Sequence, residues 1–143
     1  MMKFFMSAGM TMLLIGTAMS AKDALPRLNA EVVHIIDGDT FVGNVRTIGG
    51  ATIRTKVRFI NIDAPELSGE CESEVVRANA AKDRLSEIIP VGSIVELTHI
   101  QDDKYRGRID AFVVKNGADI GSKMIMEGHA VPYSGGKRQP WCN

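Results

Sequence analysis

The sequence predicts a mainly β domain with helices, an α+β fold whose elements run β-β-β-α-β-β-α around a five-stranded barrel. Three observations predict it. Short β-rich runs fill residues 31–62 and 93–115, with turn residues between them. Helical spacing is confined to residues 73–89 and 119–127. No regular strand–helix–strand repeat is present, so short antiparallel strands closing into an OB-type barrel fit better than a parallel sheet.

The elements follow in order. Residues 31–36 (Glu-Val-Val-His-Ile-Ile) form the first strand and stop at Asp37-Gly38. Residues 40–48 form the second, anchored by Phe41, Val42, Val45 and Ile48, and Gly49-Gly50 marks a hairpin. Residues 51–62 form the third, with Ile53, Val57 and Phe59 on one parity and Arg54, Lys56 and Arg58 on the other; Pro65 stops it. Ser73 is the expected cap of a helix whose stripe runs through Val75, Ala78, Lys82, Leu85 and Ile89, ended by Pro90-Val91-Gly92. Residues 93–100 and 108–115 supply the last two strands, the second closed by Asn116-Gly117. A short helix over residues 119–127 ends at Gly128, and the tail from Pro132 onward reads as irregular but tethered.

The first twenty residues stand apart. Lys3 precedes an apolar run too short to span a bilayer comfortably, and Ala18-Met19-Ser20 offers small residues for cleavage. Residues 1–20 therefore read as an export signal, and residues 21–143 as one domain with no remaining membrane span, periplasmic or secreted, monomeric by default. Losing Lys3 from a balanced 17 basic and 17 acidic residues leaves a net charge of −1, so nucleic acid would have to be attracted by local patches. Arg46, Arg54, Lys56 and Arg58 make one patch along the sequence, Lys104, Arg106 and Arg108 another, and Lys137-Arg138 a third. Cys71 and Cys142 are an even pair in an exported chain, which predicts one disulfide. His34, His99 and His129 lack ligand spacing, which disfavours zinc.

Three blocks carry the chemistry: Asp37-Gly38-Asp39-Thr40, then Arg58 with Asp63-Ala64-Pro65-Glu66, then Asp103-Lys104-Tyr105-Arg106-Gly107-Arg108. Asp37 and Asp39, one or both of which can point into a site, and Asp63, with backbone carbonyls, are oxygen donors suited to a hard cation such as Ca2+. Glu66, just past a proline-fixed turn, is placed to take a proton from an attacking water or to orient that water. Arg58 and Arg108 are candidates for gripping a phosphate, because a planar guanidinium matches two of its oxygens and opposes the charge that develops at phosphorus. Arg58 and Asp63 have opposite parity on one strand, so sharing a phosphate site requires a sharp bend or bulge in that strand.

On these residues the chain resembles the staphylococcal nuclease-like (thermonuclease) family, over residues 31–133. That family's pattern is an Asp-Gly-Asp-Thr block, an Arg followed five residues later by Asp-Thr/Ala-Pro-Glu, and an Asp-Lys/Arg-Tyr-Gly-Arg block, on an OB barrel. The resemblance implies one divalent cation, Ca2+ ahead of Mg2+ or Mn2+, and hydrolysis of DNA, RNA or both. It implies Asp39, Asp63 and the carbonyl of Ala64 as metal ligands, and Arg58, Glu66 and Arg108 as the catalytic trio. It further implies substrate contacts from Lys104, Tyr105 and Tyr133, with Asp37 behind the ligands. Ala64 replaces the threonine of the best-known members, which preserves a carbonyl ligand and loses a hydroxyl. Arg106 is an extra residue before Gly107 and competes with Arg108 for the phosphate; Arg108 is preferred because it follows glycine and opens the apolar strand. The expected function is an exported metal-dependent nuclease. The alternative is a non-catalytic OB module that binds nucleic acid, disfavoured by an aromatic content of 6%.

Overall fold

The computed structural model describes residues 26–142 together with Gly16. Apart from Gly16, the predicted export signal lies outside the described residues.

Five strands close into a barrel: β1 (Leu28–Asp37), β2 (Thr40–Arg46), β3 (Thr52–Phe59), β5 (Ile94–Asp102) and β6 (Arg108–Lys115). Their order is β3-β2-β1-β5-β6, and β6 returns to pair in parallel with β3. Two short ribbons complete the β structure. β4 (Ile62–Asp63) pairs with β8 (Val131–Pro132), and β7 (Ala118–Asp119) extends β6. Helix α1 (Glu72–Ile88) packs against β1, and α2 (Ile120–Met126) against β6. This is the mixed α+β, OB-type barrel that the sequence pattern predicts.

The core follows the strand alternation. Val32, Phe41, Val57, Phe59, Leu97 and Val113 are fully enclosed, and Leu85 of α1, Ile89 just after it and Met124 of α2 join the same core. Phe41 and Phe59 meet edge to face at 6.2 Å, a favoured arrangement of ring quadrupoles. Burying side chains of this size contributes about 1.5–3 kcal/mol each.

Several boundaries differ from the sequence expectation. The second strand ends at Arg46, and the hairpin beyond it projects past the barrel, leaving Ile48 85% and Ile53 53% exposed. The third strand is not continuous to residue 62: it breaks at a turn over Ile60 and Asn61 and resumes as β4. At the break, Phe59 N–H donates to Asp39 O (2.8 Å) and Ile60 N–H to Ala111 O (3.0 Å), so the chain leaves β3 held to the β1–β2 turn on one side and to β6 on the other. Ser73 does not cap α1. The helix starts two residues earlier than such a cap would place it, from an extended Cys71 with no side-chain cap. Its buried face runs Glu74, Ala78, Ala81, Leu85, so an acid rather than Val75 begins the stripe. Asp119 caps α2 instead of opening it, accepting from Ser122 N–H at 3.1 Å.

The tail is tethered, as expected. Cys71 and Cys142 form a disulfide across 71 positions of sequence, with Cα atoms 6.1 Å apart.

Candidate active site

The β1–β2 turn delivers the first acids. Asp37 Oδ1 accepts from Asp39 N–H at 3.1 Å, which folds the turn back on itself. Gly38 is needed there for room: a Cβ would sit 2.7 Å from Ala81 Cβ on α1 and 2.9 Å from Ala64 Cβ. Asp39 is thereby buried, with Oδ1 accepting from the Thr40 hydroxyl (2.8 Å) and Oδ2 from Ala64 N–H (2.9 Å). That second bond ties the first motif block to the second across 25 residues.

The turn at Ile60 and Asn61 reverses the strand parity, so Asp63 comes back to the face that carries Arg58. The guanidinium of Arg58 lies 3.8 Å from Asp39 Oδ2 and 3.6 Å from Asp63 Oδ1, and it also donates to Phe59 O at 3.1 Å. The Tyr133 ring covers it, with the guanidinium carbon 5.2 Å from the ring centre.

Beside this cluster opens a cleft of about 470 Å³. Arg58, Glu66, Lys104, Tyr105, Arg108 and Tyr133 all line it. Arg106 does not line it and is exposed. Arg108 is held by Asp103 at 2.9 Å, and its guanidinium carbon lies 4.8 Å from the Tyr105 ring centre. Tyr105 also carries Lys104 Nζ at 5.2 Å. Tyr133 is fixed at both ends: its N–H donates to Asn61 O (3.0 Å) and its hydroxyl to Gly136 O (2.8 Å).

The electrostatics reflect crowded acids. Burial, then the charge of Asp39, pushes Asp37 up to about 8. Burial also raises Glu66; Arg138 opposes the rise, while Asp39 and Asp63 reinforce it. Asp110, on β6, is raised to about 6 by burial and by its neighbour Asp103.

Every sequence-predicted site residue therefore lies in or beside one region. Asp39, Asp63, Ala64, Arg58 and Glu66 converge; Lys104, Tyr105, Arg108 and Tyr133 face the same cleft; Asp37 stands behind Asp39. Among the described residues no group of three or more His, Cys, Asp or Glu side chains is gathered as a ready metal cage. The donors that do converge are carboxylate and carbonyl oxygens, the type hard cations take. Asp63 is 1% exposed, and its buried Oδ2 has no hydrogen-bond partner. An orphaned, enclosed carboxylate oxygen is a costly feature that a cation would resolve.

Three participants escaped the sequence reading. Arg138 reaches Asp63 Oδ1 (2.9 Å), Ala64 O (3.1 Å) and Glu66 Oε1 (3.0 Å). In sequence it was one half of a basic pair in the tail. Glu74, buried in α1, accepts from Glu66 N–H and Glu70 N–H, each at 3.3 Å. Its only sequence signal is an acid in a helix stripe that should be apolar. Asp110 sits opposite Arg58 in the β3–β6 register.

The chain is similar in sequence to known proteins. The sequence model of the family described as staphylococcal nuclease homologue matches residues 56–140, which hold the second and third motif blocks and Arg138. The Asp37–Thr40 turn lies outside that match and joins the site through the fold. Endonuclease YhcR of Bacillus subtilis (strain 168) is 25% identical over 109 residues, which is 71% of this chain. The chain spans only 9% of that relative's length. With more than half of its length matched, this chain belongs to the staphylococcal nuclease homologue family.

Proposed function

We propose that this nuclease-family domain is an exported, Ca2+-dependent endonuclease that hydrolyses phosphodiesters of DNA, RNA or both. The observation that carries the reading is the convergence of Arg58, Asp39, Asp63 and Glu66 at the edge of a cleft that also holds Arg108.

Asp39, Asp63 and the Ala64 carbonyl would hold the cation. When bound, it supplies a Lewis-acid centre that polarises a phosphate oxygen. The remaining work falls to the chain's own residues. Arg58 and Arg108 grip non-bridging phosphate oxygens and oppose the charge that builds at phosphorus. Glu66 receives a proton from the attacking water or aligns it, and its burial-raised basicity suits proton acceptance. Tyr105 and Tyr133 offer ring faces to the substrate, and Lys104 a flanking cation. Asp37 keeps the Asp39 backbone in place.

Residues 1–20 serve, on this reading, as a removable export signal, leaving residues 21–143 as the mature domain. The disulfide supports an oxidising compartment, the periplasm or the exterior. No helix among the described residues is long and apolar enough to cross a membrane.

Digestion of single-stranded DNA and RNA by residues 21–143 tests the proposal, with Ca2+ against chelator and with Glu66→Gln and Arg108→Ala. Ca2+-dependent cutting that collapses in both variants is expected. Binding without cutting under any metal would replace the enzyme with a nucleic-acid-binding module.

A further inference from the structure

We propose that Arg138 sets the metal affinity of this site, because its guanidinium and a divalent cation compete for Asp63 and the Ala64 carbonyl. The inference rests on the metal-dependent reading above and adds to it a resident competitor that the chain itself carries.

The acceptors of Arg138 are Asp63 Oδ1 at 2.9 Å, Ala64 O at 3.1 Å and Glu66 Oε1 at 3.0 Å. The first two belong to proposed ligand residues. A Ca2+ ion binds oxygen at roughly 2.4 Å. An ion on Asp63, whose Oδ2 is unpartnered, and on the Ala64 carbonyl would share both acceptor groups with the guanidinium. Two positive centres that close repel strongly in a partly buried site. Each positive centre therefore weakens the other's hold on these groups, and metal binding favours departure of the guanidinium.

The fold keeps Arg138 at hand. Asp63 pairs with Val131 where the tail departs, and Cys142 anchors the tail to Cys71. With both ends of the segment fixed, the guanidinium is present at a high effective concentration. Its departure needs no unfolding. The side chain is 40% exposed and borders both the catalytic cleft and a neighbouring cavity beneath the tail. Competition of this kind lowers apparent metal affinity by the fraction of molecules in which the site is free.

The test is calorimetric titration of Ca2+ alone into residues 21–143, without nucleic acid. Arg138→Ala and Arg138→Gln are each expected to bind Ca2+ about tenfold tighter than the wild type. Asp63→Ala should abolish binding. In the wild type, the Nε–H resonance of Arg138, followed by NMR, should move to a solvent-exposed value as Ca2+ is added. That signal separates displacement from a mere change in local charge and requires no variant to fold. Unchanged or weaker affinity in both variants, or an Arg138 signal indifferent to Ca2+, would overturn the inference while leaving the nuclease reading intact. Absence of Ca2+ binding in every form would overturn both this inference and the Ca2+ assignment.

Discussion

The guanidinium of Arg58 lies 3.6 Å from the carboxylate of Asp63, although on a straight strand the two side chains would face opposite ways. The turn over Ile60 and Asn61 resolves this by interrupting the strand between them. Arg58 thus touches both proposed metal carboxylates while facing the cleft, where a phosphate would lie.

Arg58 should accordingly be hard to replace. Arg58→Ala is expected to lower kcat by about 10²–10³-fold on single-stranded DNA, the usual loss when one donor to a developing oxyanion is removed. Arg58→Lys should recover little, since a point charge cannot match two oxygens and also reach Phe59 O. Steady-state kinetics at saturating Ca2+ checks both. A lysine variant near wild-type activity would reduce Arg58 to a diffuse positive charge.

Gly38→Ala should destabilise the fold by about 1–3 kcal/mol, the range for forcing a methyl into a packed interior. The added carbon would press on Ala81 and Ala64 at once. Because Ala64 carries a proposed ligand carbonyl, Ca2+ affinity should weaken together with stability. Urea unfolding and calorimetry on one sample measure the two effects. An undisturbed variant would mean that the turn shifts freely against α1.

Much of this site was legible before the fold. The three motif blocks place acids, arginines and a proline at fixed spacings, and the structure gathers their side chains in one region. Strand parity identified Val57 and Phe59 as core. Parity failed for Ile53 because it cannot tell where a hairpin outruns the barrel. Gly38 was legible as a bend, whereas its deeper reason is contact with α1, 43 positions later in the chain. Arg138 and Glu74 were not legible as site residues. Arg138 reaches Asp63 across 75 positions, brought there by the β4–β8 pairing and the disulfide. Nothing local to either residue encodes such contacts.

The disulfide should contribute about 4 kcal/mol by the loop-entropy estimate for a closure of this length. Reduction should add about 2 Da to the mass of the intact protein. The Cys71→Ser/Cys142→Ser protein should melt about 10 °C or more below the wild type. Intact-mass spectrometry and thermal denaturation in chelator check the two. An unchanged melting point would place the tail outside the cooperative unit.

Asp110 should make stability fall as pH rises through mildly acid values. Its native carboxyl is raised to about 6 by burial and by Asp103, against 3.8 as its ordinary value. The folded state thus binds the extra proton, and the stability it contributes is full below about 4 and lost as pH rises through about 6. Asp103 works the other way. Burial pushes it up, but the Tyr105 N–H, Asp110 and Arg108 outweigh that and hold it below its ordinary value. Its contribution is present above about 4 and fades only in stronger acid. Asp110→Asn should therefore flatten the slope of stability between about pH 4 and 6, read from urea midpoints across that range. A slope identical to wild type would show that Asp110 titrates normally.

Glu74 should govern how firmly Glu66 is held. Its two carboxylate oxygens accept the backbone N–H groups of Glu66 and Glu70, so the segment between them wraps a single buried acid. Gly69 closes the wrap: a Cβ there would lie 2.7 Å from Glu74 Cγ, which leaves no slack in the loop. Glu74→Gln keeps the shape but turns an amide donor toward one of those N–H groups. That should remove one hydrogen bond and strand a donor, at about 1–3 kcal/mol. A loop loosened this way lets Glu66 wander, so kcat should fall more than the stability loss alone explains, while KM changes little. Hydrogen exchange at the Glu66 and Glu70 amides should accelerate in the variant. If those amides exchange as slowly as before and kcat is unchanged, the loop is held by the disulfide rather than by Glu74.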